Sequence, residues 1–392
     1  MEQIPDPPLA GIRVLELGSS VAGPFAGRLL ADLGATVIKV EPRDGDQLRT
    51  WGLPDADGTS LWFKSHNRGK RLVALDLRDP VDQARAKALA RTCDIVLENF
   101  RPGRLAEWGL DHASLRADQP ELIYVSISGF GQDGPYADRA GYGNIAESMG
   151  GLRYVTGYAD RPPVRVGVSL GDHVAALYAV IGTLAALAAR RRDGTGDYVD
   201  VALVEACFSL TEGTLAEFVN AGVVPERAGN RYLRAAPNSI YPTADDRWLA
   251  IGGNGQAIFR RLCAVMERPE LADDPRFLTN AARVAHAAEL DDLLAAWTVR
   301  FASSDLNGLL AEAGVPAGLV MSIADIANDP QFRARGMIAS VADDNGRPIA
   351  TPGIVPRFER HRVGLTHAAG AIDRDRSAVF APEKGRPCPP LR

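Results

Sequence analysis

The run IRVLELGSSVAGPFAGRLLADLGATVIKVEPR, Ile12 to Arg43, changes its apolar period twice. Residues 12 to 17 form a compact β run. Gly23 to Asp32 carries apolar side chains at helical spacing and is closed at Gly34, and Val37 to Val40 is a second β run ended by Glu41, Pro42 and Arg43. Strand, helix and strand joined by short turns make a β-α-β unit. Its two strands run parallel, because the helix carries the chain back to the end where the first strand began. The alternation continues: Leu72 to Leu77 predicts a strand, Val81 to Thr92 an amphipathic helix, and Ile95 to Leu97 and Leu122 to Ser128 two further strands. The expected class is α/β, a Rossmann-like large domain with a mostly parallel sheet.

A chain of 392 residues exceeds the roughly 250 to 300 at which a single core stops growing, so a second domain is expected. The sequence places the large α/β domain at 1–200, a linker at 201–229, a smaller α+β domain at 230–310, a second linker at 311–325, and a return to the large domain at 326–392. Val201 to Val223 reads as helical and Arg227 to Pro242 as loop. Trp248 to Gly252 reads as a strand, Ala257 to Met266 as a helix, and Leu290 to Phe301 alternates apolar with charged residues. Ile323 to Arg335 is helical with a break near Pro330, strands fall near Ile338, Val341 and Ile349, and the last dozen residues are expected to be mobile.

A net charge of −5 argues against non-specific nucleic-acid binding. Cys93, Cys207, Cys263 and Cys388 are far apart, with neither a paired zinc spacing nor a disulfide framework, which suits a reducing compartment. The opening MEQIPDPP has neither a basic start nor an apolar stretch, so no secretory leader is expected and the cytoplasm is.

One carboxylate stands out. Val164, Val166 and Val168 alternate as a β run, Gly171 permits a tight turn, and from Val174 to Ala189 the chain is apolar or small. That stretch is short of the ~20 residues that span a bilayer, so it reads as a core helix. Asp172 would then stand at the helix start, where the first N–H groups have no partner and the dipole favours negative charge. Capping is the commonest use of such an aspartate. The same setting suits an ionised nucleophile.

Other patterns carry less. Gly18, Gly23 and Gly27 do not have the G-x-G-x-x-G spacing of a dinucleotide loop, although Glu41 lies where a ribose-binding acid would. Gly69-Lys70 is followed by Arg71, not by the Ser or Thr of a phosphate loop. None of the six histidines has a metal-ligand partner at helical spacing. His173 and Asp172 are adjacent and point in different directions on a helix, which excludes a neighbour dyad. Arg43 and the segment Asn99-Phe100-Arg101-Pro102-Gly103-Arg104 follow strand ends, at the carboxyl edge where α/β proteins bind ligands. They read either as solvated charge or as guanidiniums for phosphates, with Phe100 packed on an aromatic base.

Read together, the segments 14–26 (VLELGSSVAGPFA), 31–42 (ADLGATVIKVEP), 67–71 (NRGKR), 96–103 (VLENFRPG), 128–136 (SGFGQDGPY) and 329–337 (DPQFRARGM) resemble the class III CoA-transferases. Members include formyl-CoA and carnitine CoA-transferases, with α-methylacyl-CoA racemase a relative. The resemblance implies that Asp172 is the nucleophile and that CoA passes through aspartyl anhydride and aspartyl-CoA thioester intermediates between an acyl-CoA donor and a carboxylic acid acceptor. It implies an interlocked homodimer with no permanent cofactor, no metal, no nucleic acid and no membrane partner, coenzyme A entering only as a substrate moiety.

By the same resemblance CoA lies across Val21, Ala22, Arg43, Leu75, Arg78, Asn99, Phe100, Arg101, Arg139 and Tyr142. Arg104 stands in for an arginine that many members carry where this chain has Glu107. Gly252, Gly253, Asn254 and Gly255 are expected as an active-site loop supplying N–H donors. Formyl-CoA transferase has a longer small domain with a run of glycines, which this chain lacks. The alternative is an acyl-CoA racemase or isomerase acting by α-proton exchange. That branch needs a histidine where this chain has Tyr142, and a phenol of pKa about 10 is a poor base at neutral pH.

Overall fold

The structure, a computed structural model, describes residues 6–381. The expected mobile tail, but for Ala381, and Cys388 lie outside the described residues, as do the first five residues of the segment read for a leader.

The first part of the chain runs β1 (Arg13–Leu17), α1 (Ala22–Asp32), β2 (Thr36–Glu41), α2 (Leu61–His66), β3 (Arg71–Ala74), α3 (Pro80–Ala90), β4 (Ile95–Glu98), α4 (His112–Asp118), β5 (Ile123–Ser128), α5 (Gly143–Met149), α6 (Leu170–Asp193) and β6 (Tyr198–Ala202). The six strands form one parallel sheet in the order β3-β2-β1-β4-β5-β6, with Val14 opposite Val37 and Ile95 opposite Ile123. The α/β expectation is met, and the order is that of a dinucleotide-type doubly wound sheet.

Both faces of the sheet are covered, which is why its strands are apolar almost without interruption. Val14, Val37, Ile95, Leu97, Ile123 and Val125 point to one side and share a core with Ala26 and Leu30 of α1 and Ala175, Ala176 and Ala179 of α6. Leu15, Leu17, Ile38, Val40 and Val96 point to the other, against Ala86, Leu89 and Ala90 of α3. Helix starts are set locally: Ser60 caps α2, and the Asp79 carboxylate accepts from the Val81 N–H with Pro80 opening α3.

Several expectations are corrected. Val164 to Val168 is not a strand: the segment has no regular structure, and its three valines are exposed. Alternation without a neighbouring strand edge makes no sheet, and Pro162, Pro163 and Gly167 interrupt it. The stretch Val201 to Val223 is not one helix. It holds the end of β6, then α7 (Leu203–Phe208) and α8 (Thr214–Ala221), separated by turns. The sixth strand, Tyr198–Ala202, was not expected from the sequence.

The chain divides into two compact units, one made of the described parts of Met1–Leu152, Arg165–Val223 and Gln331–Arg392, the other of Arg153–Val164 and Val224–Pro330. The second unit has its own antiparallel sheet, β7 (Asn238–Pro242), β8 (Trp248–Gly252) and β9 (Ala317–Leu319). Around it lie α9 (Gln256–Val265), α10 (Asn280–Ala285), α11 (Ala287–Thr298) and α12 (Ser303–Glu312), and its core holds Tyr241, Phe259, Phe277, Leu294, Trp297 and Leu310. β7 thus replaces part of the loop expected at Arg227 to Pro242. α13 (Ile323–Asn328) and α14 (Pro330–Ala334) are separated at Asp329, as the proline predicts, and are followed by the antiparallel pair β10 (Ile338–Ala342) and β11 (Pro348–Pro352) and by α15 (Arg376–Val379).

Among the described residues, α6 is the one helix long and apolar enough to cross a membrane by length and composition. Its Val174, Ala175, Ala179, Thr183, Ala186 and Leu187 are buried, and all but Thr183 belong to the core of the first unit, which fits a core helix.

Candidate active site

In the sheet order the numbering reverses between β1 and β4, so the connections leaving their carboxyl ends diverge and open a crevice. A cavity of about 660 Å³ lies there, all of it within the first unit. Its walls come from Ser19 to Ala22 after β1, Asn99 to Pro102 after β4, Ile127 to Gly129 at the end of β5, and the segment Arg139–Asn144 leading into α5, save Ala140. Gln47, Trp51, Arg165, Ser169, Asp172 and Leu203 complete it.

The turn after β1 is held by buried charge. Asn99 accepts the Ser19 N–H through Oδ1 at 3.0 Å and donates through Nδ2 to the Ser19 carbonyl at 3.0 Å. Ser20, at φ 66°, directs its N–H to the Asp46 carboxylate at 3.0 Å. Beneath it the fully buried Lys39 lies 2.8 Å from Asp46 and 3.1 Å from Glu16, and donates to the Gly18 carbonyl at 2.7 Å. Burial pulls the Lys39 ammonium toward neutrality, but Asp46 and Glu16 outweigh it and raise its pKa. Lys70 reaches Glu16 from the other side at 2.7 Å. A buried ion pair is costly to form and costlier to break, so this cluster fixes the turn more than it stabilises the fold.

Asp172 is not a cap. α6 begins at Leu170, its cap position is Ser169, and Asp172 is the third helical residue. Gly171 is inside the helix, not in a turn, and is required by close approach: a Cβ there would meet the Gly143 carbonyl at 3.0 Å and the Cys207 Sγ at 3.1 Å. The carboxylate of Asp172 lies on the Cα of Gly143, the first residue of α5. Two acids converge here, because Glu147 of α5 is buried and accepts the Gly171 N–H through Oε1 at 3.2 Å. Arg165 Nε stands 3.8 Å from Glu147 Oε2. Burial, then the nearby Glu147 charge, push Asp172 up to about 6, with Arg165 opposing them.

Of the residues singled out in the sequence, the structure brings Val21, Ala22, Asn99, Phe100, Arg101, Arg139, Tyr142 and Asp172 to one cavity. The rest lie off its wall. Arg43 pairs with Asp82 at 2.9 Å and Asp79 at 3.2 Å, and Arg78 pairs with Asp76 at 2.8 Å. Leu75 is buried in the second core of the sheet. Arg104 pairs with Glu107 at 2.6 Å and lies over Trp108, whose ring meets Phe100 edge-on. Gly252, Gly253, Asn254 and Gly255 belong to the second unit, where they connect β8 to α9 and the Asn254 carbonyl accepts from Arg283.

No histidine lines the cavity. His173 directs Nδ1 to the Ser169 carbonyl at 2.6 Å, and its ring meets Phe25 edge-on. His66, pushed down to about 3 chiefly by burial, bonds the Val21 carbonyl through Nε2 at 3.0 Å. No group of three or more His, Cys, Asp or Glu that could hold a metal ion occurs among the described residues.

Three residues escaped the sequence reading. Glu147 and Gly143 lie in a helix that was not expected, and Arg165 in a run that reads as a strand. The available signal was the helical spacing of Gly143 and Glu147, which puts both on one face.

A profile of CoA-transferase family III matches residues 9–376. The succinyl-CoA--D-citramalate CoA-transferase of Chloroflexus aurantiacus is 46% identical over 379 residues, 96% of this chain and 94% of that protein. The succinate--glutarate CoA-transferase of Agrobacterium fabrum is 42% identical over 356 residues, 89% of this chain and 88% of that protein. A CAIB/BAIF family protein from Brucella suis, solved by crystallography, superposes with a TM-score of 0.85 at 38% identity, covering 96% of this chain and 99% of the other.

Proposed function

This chain belongs to CoA-transferase family III, and on that premise we propose that it moves CoA from an acyl-CoA thioester to a free carboxylic acid by covalent catalysis at Asp172. The observation that carries this reading is the placement of Asp172. It is an acid in a large cavity at the start of a long helix, lying on a glycine Cα, with no histidine on the same wall.

The chemistry balances with one carboxylate. Asp172 attacks the thioester carbonyl, the C–S bond breaks, and the CoA thiolate leaves with the electron pair, giving an aspartyl anhydride. The thiolate then attacks the Asp172 carbonyl of the anhydride, and the donor acid departs as a carboxylate. The acceptor carboxylate attacks the aspartyl-CoA thioester, the C–S bond breaks, the CoA thiolate leaves again and a second anhydride forms. Finally the thiolate takes the acyl group and Asp172 returns as a carboxylate.

A thioester is exchanged for a thioester, so no nucleotide is consumed. An ordinary aspartate of pKa about 3.9 expelling a thiolate of about 8.5 faces a gap of roughly 6 kcal/mol. With Asp172 near 6 that gap shrinks to roughly 3 kcal/mol. The same carboxyl is still about nine-tenths ionised at pH 7.

We assign CoA to the cavity walls formed by Val21, Ala22, Asn99, Phe100, Arg101, Arg139 and Tyr142. The relatives are named for succinate, glutarate and citramalate, all dicarboxylic acids, and short dicarboxylic acids are the class we assign to donor acyl group and acceptor. We further assign a homodimer, supported by the bare apolar face of α6, where Leu177, Tyr178, Ile181 and Leu184 are exposed in a single chain, and a cytoplasmic setting, supported by the buried free thiols of Cys93, Cys207 and Cys263.

The test is chemical capture. Under turnover with an acyl-CoA, hydroxylamine intercepts an aspartyl anhydride or thioester as a hydroxamate. Peptide mass spectrometry is expected to find it at Asp172, and turnover without it would sink the covalent route.

A further inference from the structure

Three guanidiniums line the cavity, and they are not equivalent. Arg139 lies 3.6 Å over the ring centroid of Tyr136. Arg101 is shared with a second cavity of about 220 Å³, next to Glu98 and Asp111. Arg165 makes no hydrogen bond among the described residues. Its ion pair is with Glu147 at 3.8 Å, close enough to hold the charge and too far to use its N–H groups.

Arg165 also stands near the acid. It lines the same cavity as Asp172 and its charge acts on that carboxyl, and Glu147, to which it is tethered, takes the N–H of Gly171 immediately before that aspartate. Half of the Arg165 side chain is exposed, so the guanidinium fork is open to a ligand. A planar fork with free donors matches a carboxylate in two parallel hydrogen bonds.

We propose that Arg165 is the residue that selects a dicarboxylic acyl group: its guanidinium receives the distal carboxylate while the thioester carbonyl is presented to Asp172. The inference rests on the transferase reading above and deepens it by placing the specificity in one side chain. Glu147 balances the positive charge when the cavity is empty without occupying the donors. A monocarboxylic acyl group of the same length places a methyl group where those donors point and leaves them unpaired, which is how a site built for a polar group rejects an apolar isostere.

The experiment compares succinyl-CoA with butyryl-CoA, which has the same chain length and no distal charge. CoA release is followed in hydroxylamine as a single turnover, because capture at Asp172 stops each enzyme molecule; its second-order rate gives kcat/KM and no acceptor acid is needed. For the wild type, kcat/KM is expected to favour succinyl-CoA. Arg165→Gln is expected to lower kcat/KM for succinyl-CoA by about ten- to a hundredfold, the loss of one charge-assisted interaction. Assayed well above pH 6, where Asp172 is ionised in both proteins, it should leave butyryl-CoA nearly unchanged, and Arg165→Lys should recover part of the succinyl-CoA rate. Equal losses on both thioesters would overturn the proposal. A wild-type enzyme that uses butyryl-CoA and ignores succinyl-CoA would refute it while leaving the transferase reading intact. A wild type that releases CoA from neither, and transfers it between no pair of acids, would remove both.

Discussion

Gly143 and Asp172 touch as backbone and carboxylate: a Cβ on Gly143 would fall within 2.7 Å of the Asp172 Cγ and nearer still to its Oδ2. The first residue of one helix therefore sets the position of the acid on the next, and only a residue without a side chain leaves room for it.

Gly143→Ala is expected to keep the fold and displace the carboxylate. A shift of an ångström at the reacting atom costs about a hundredfold in rate. A fall in kcat of that size, with an unchanged unfolding transition, is the expected outcome. Full activity would show that the contact does not position the acid.

The pH profile follows from the causes acting on Asp172. It reacts as the anion, so kcat/KM is expected to rise with pH through about 6 and then level off. Glu147 raises that value by its charge, and Glu147→Gln should move the acid limb to lower pH. Arg165 opposes the shift, and Arg165→Gln should move the limb to higher pH. Limbs that coincide in all three proteins would contradict this assignment.

The same shift has a consequence for stability. The folded pKa of Asp172, about 6, stands above the ordinary aspartate value of about 3.9, so its ionised form is disfavoured by folding. The cost is absent below the unfolded value and complete above the folded one, reaching at most about 3 kcal/mol. Asp172→Asn, though inactive, is expected to unfold at higher urea than the wild type at pH 7.5, with the advantage disappearing near pH 4.

Lys39 is the centre of the charge cluster under the β1–α1 turn. Lys39→Met leaves Glu16 and Asp46 buried with one fewer cation, and removing one partner of a buried pair costs about 3–5 kcal/mol. Urea unfolding is the measure. A loss below about 1 kcal/mol would show that the cluster rearranges freely.

Ile181 and Leu184 lie on the bare face of α6. Ile181→Asp with Leu184→Asp is expected to convert a dimer to a monomer on size-exclusion chromatography with light scattering. A wild type that elutes as a monomer would remove the homodimer assignment.

The parallel sheet was legible because its signal is local. Strands buried on both faces are mostly apolar, and α1 and α9 show their period within their own length, so Ile12 to Arg43 was enough to name the architecture. The motifs around Asn99 and Asp172 were legible as motifs. Their convergence was not. Val164 to Val168 has strand alternation and no strand, because alternation records what a chain could pair with, and pairing needs a neighbouring edge.

By itself, then, the amino-acid sequence determined the α/β class, the ligand-edge loop after β4, and Asp172 as the acid to watch. The tertiary structure alone decided that Asp172 rests on Gly143 and not on a cap, that Glu147 is buried beside it, and that Arg165 faces the same cavity with its donors free. Helical period and turn chemistry act over a few residues. The pKa of a carboxylate and the reach of a guanidinium depend on groups tens of residues away, brought together only when the helices pack.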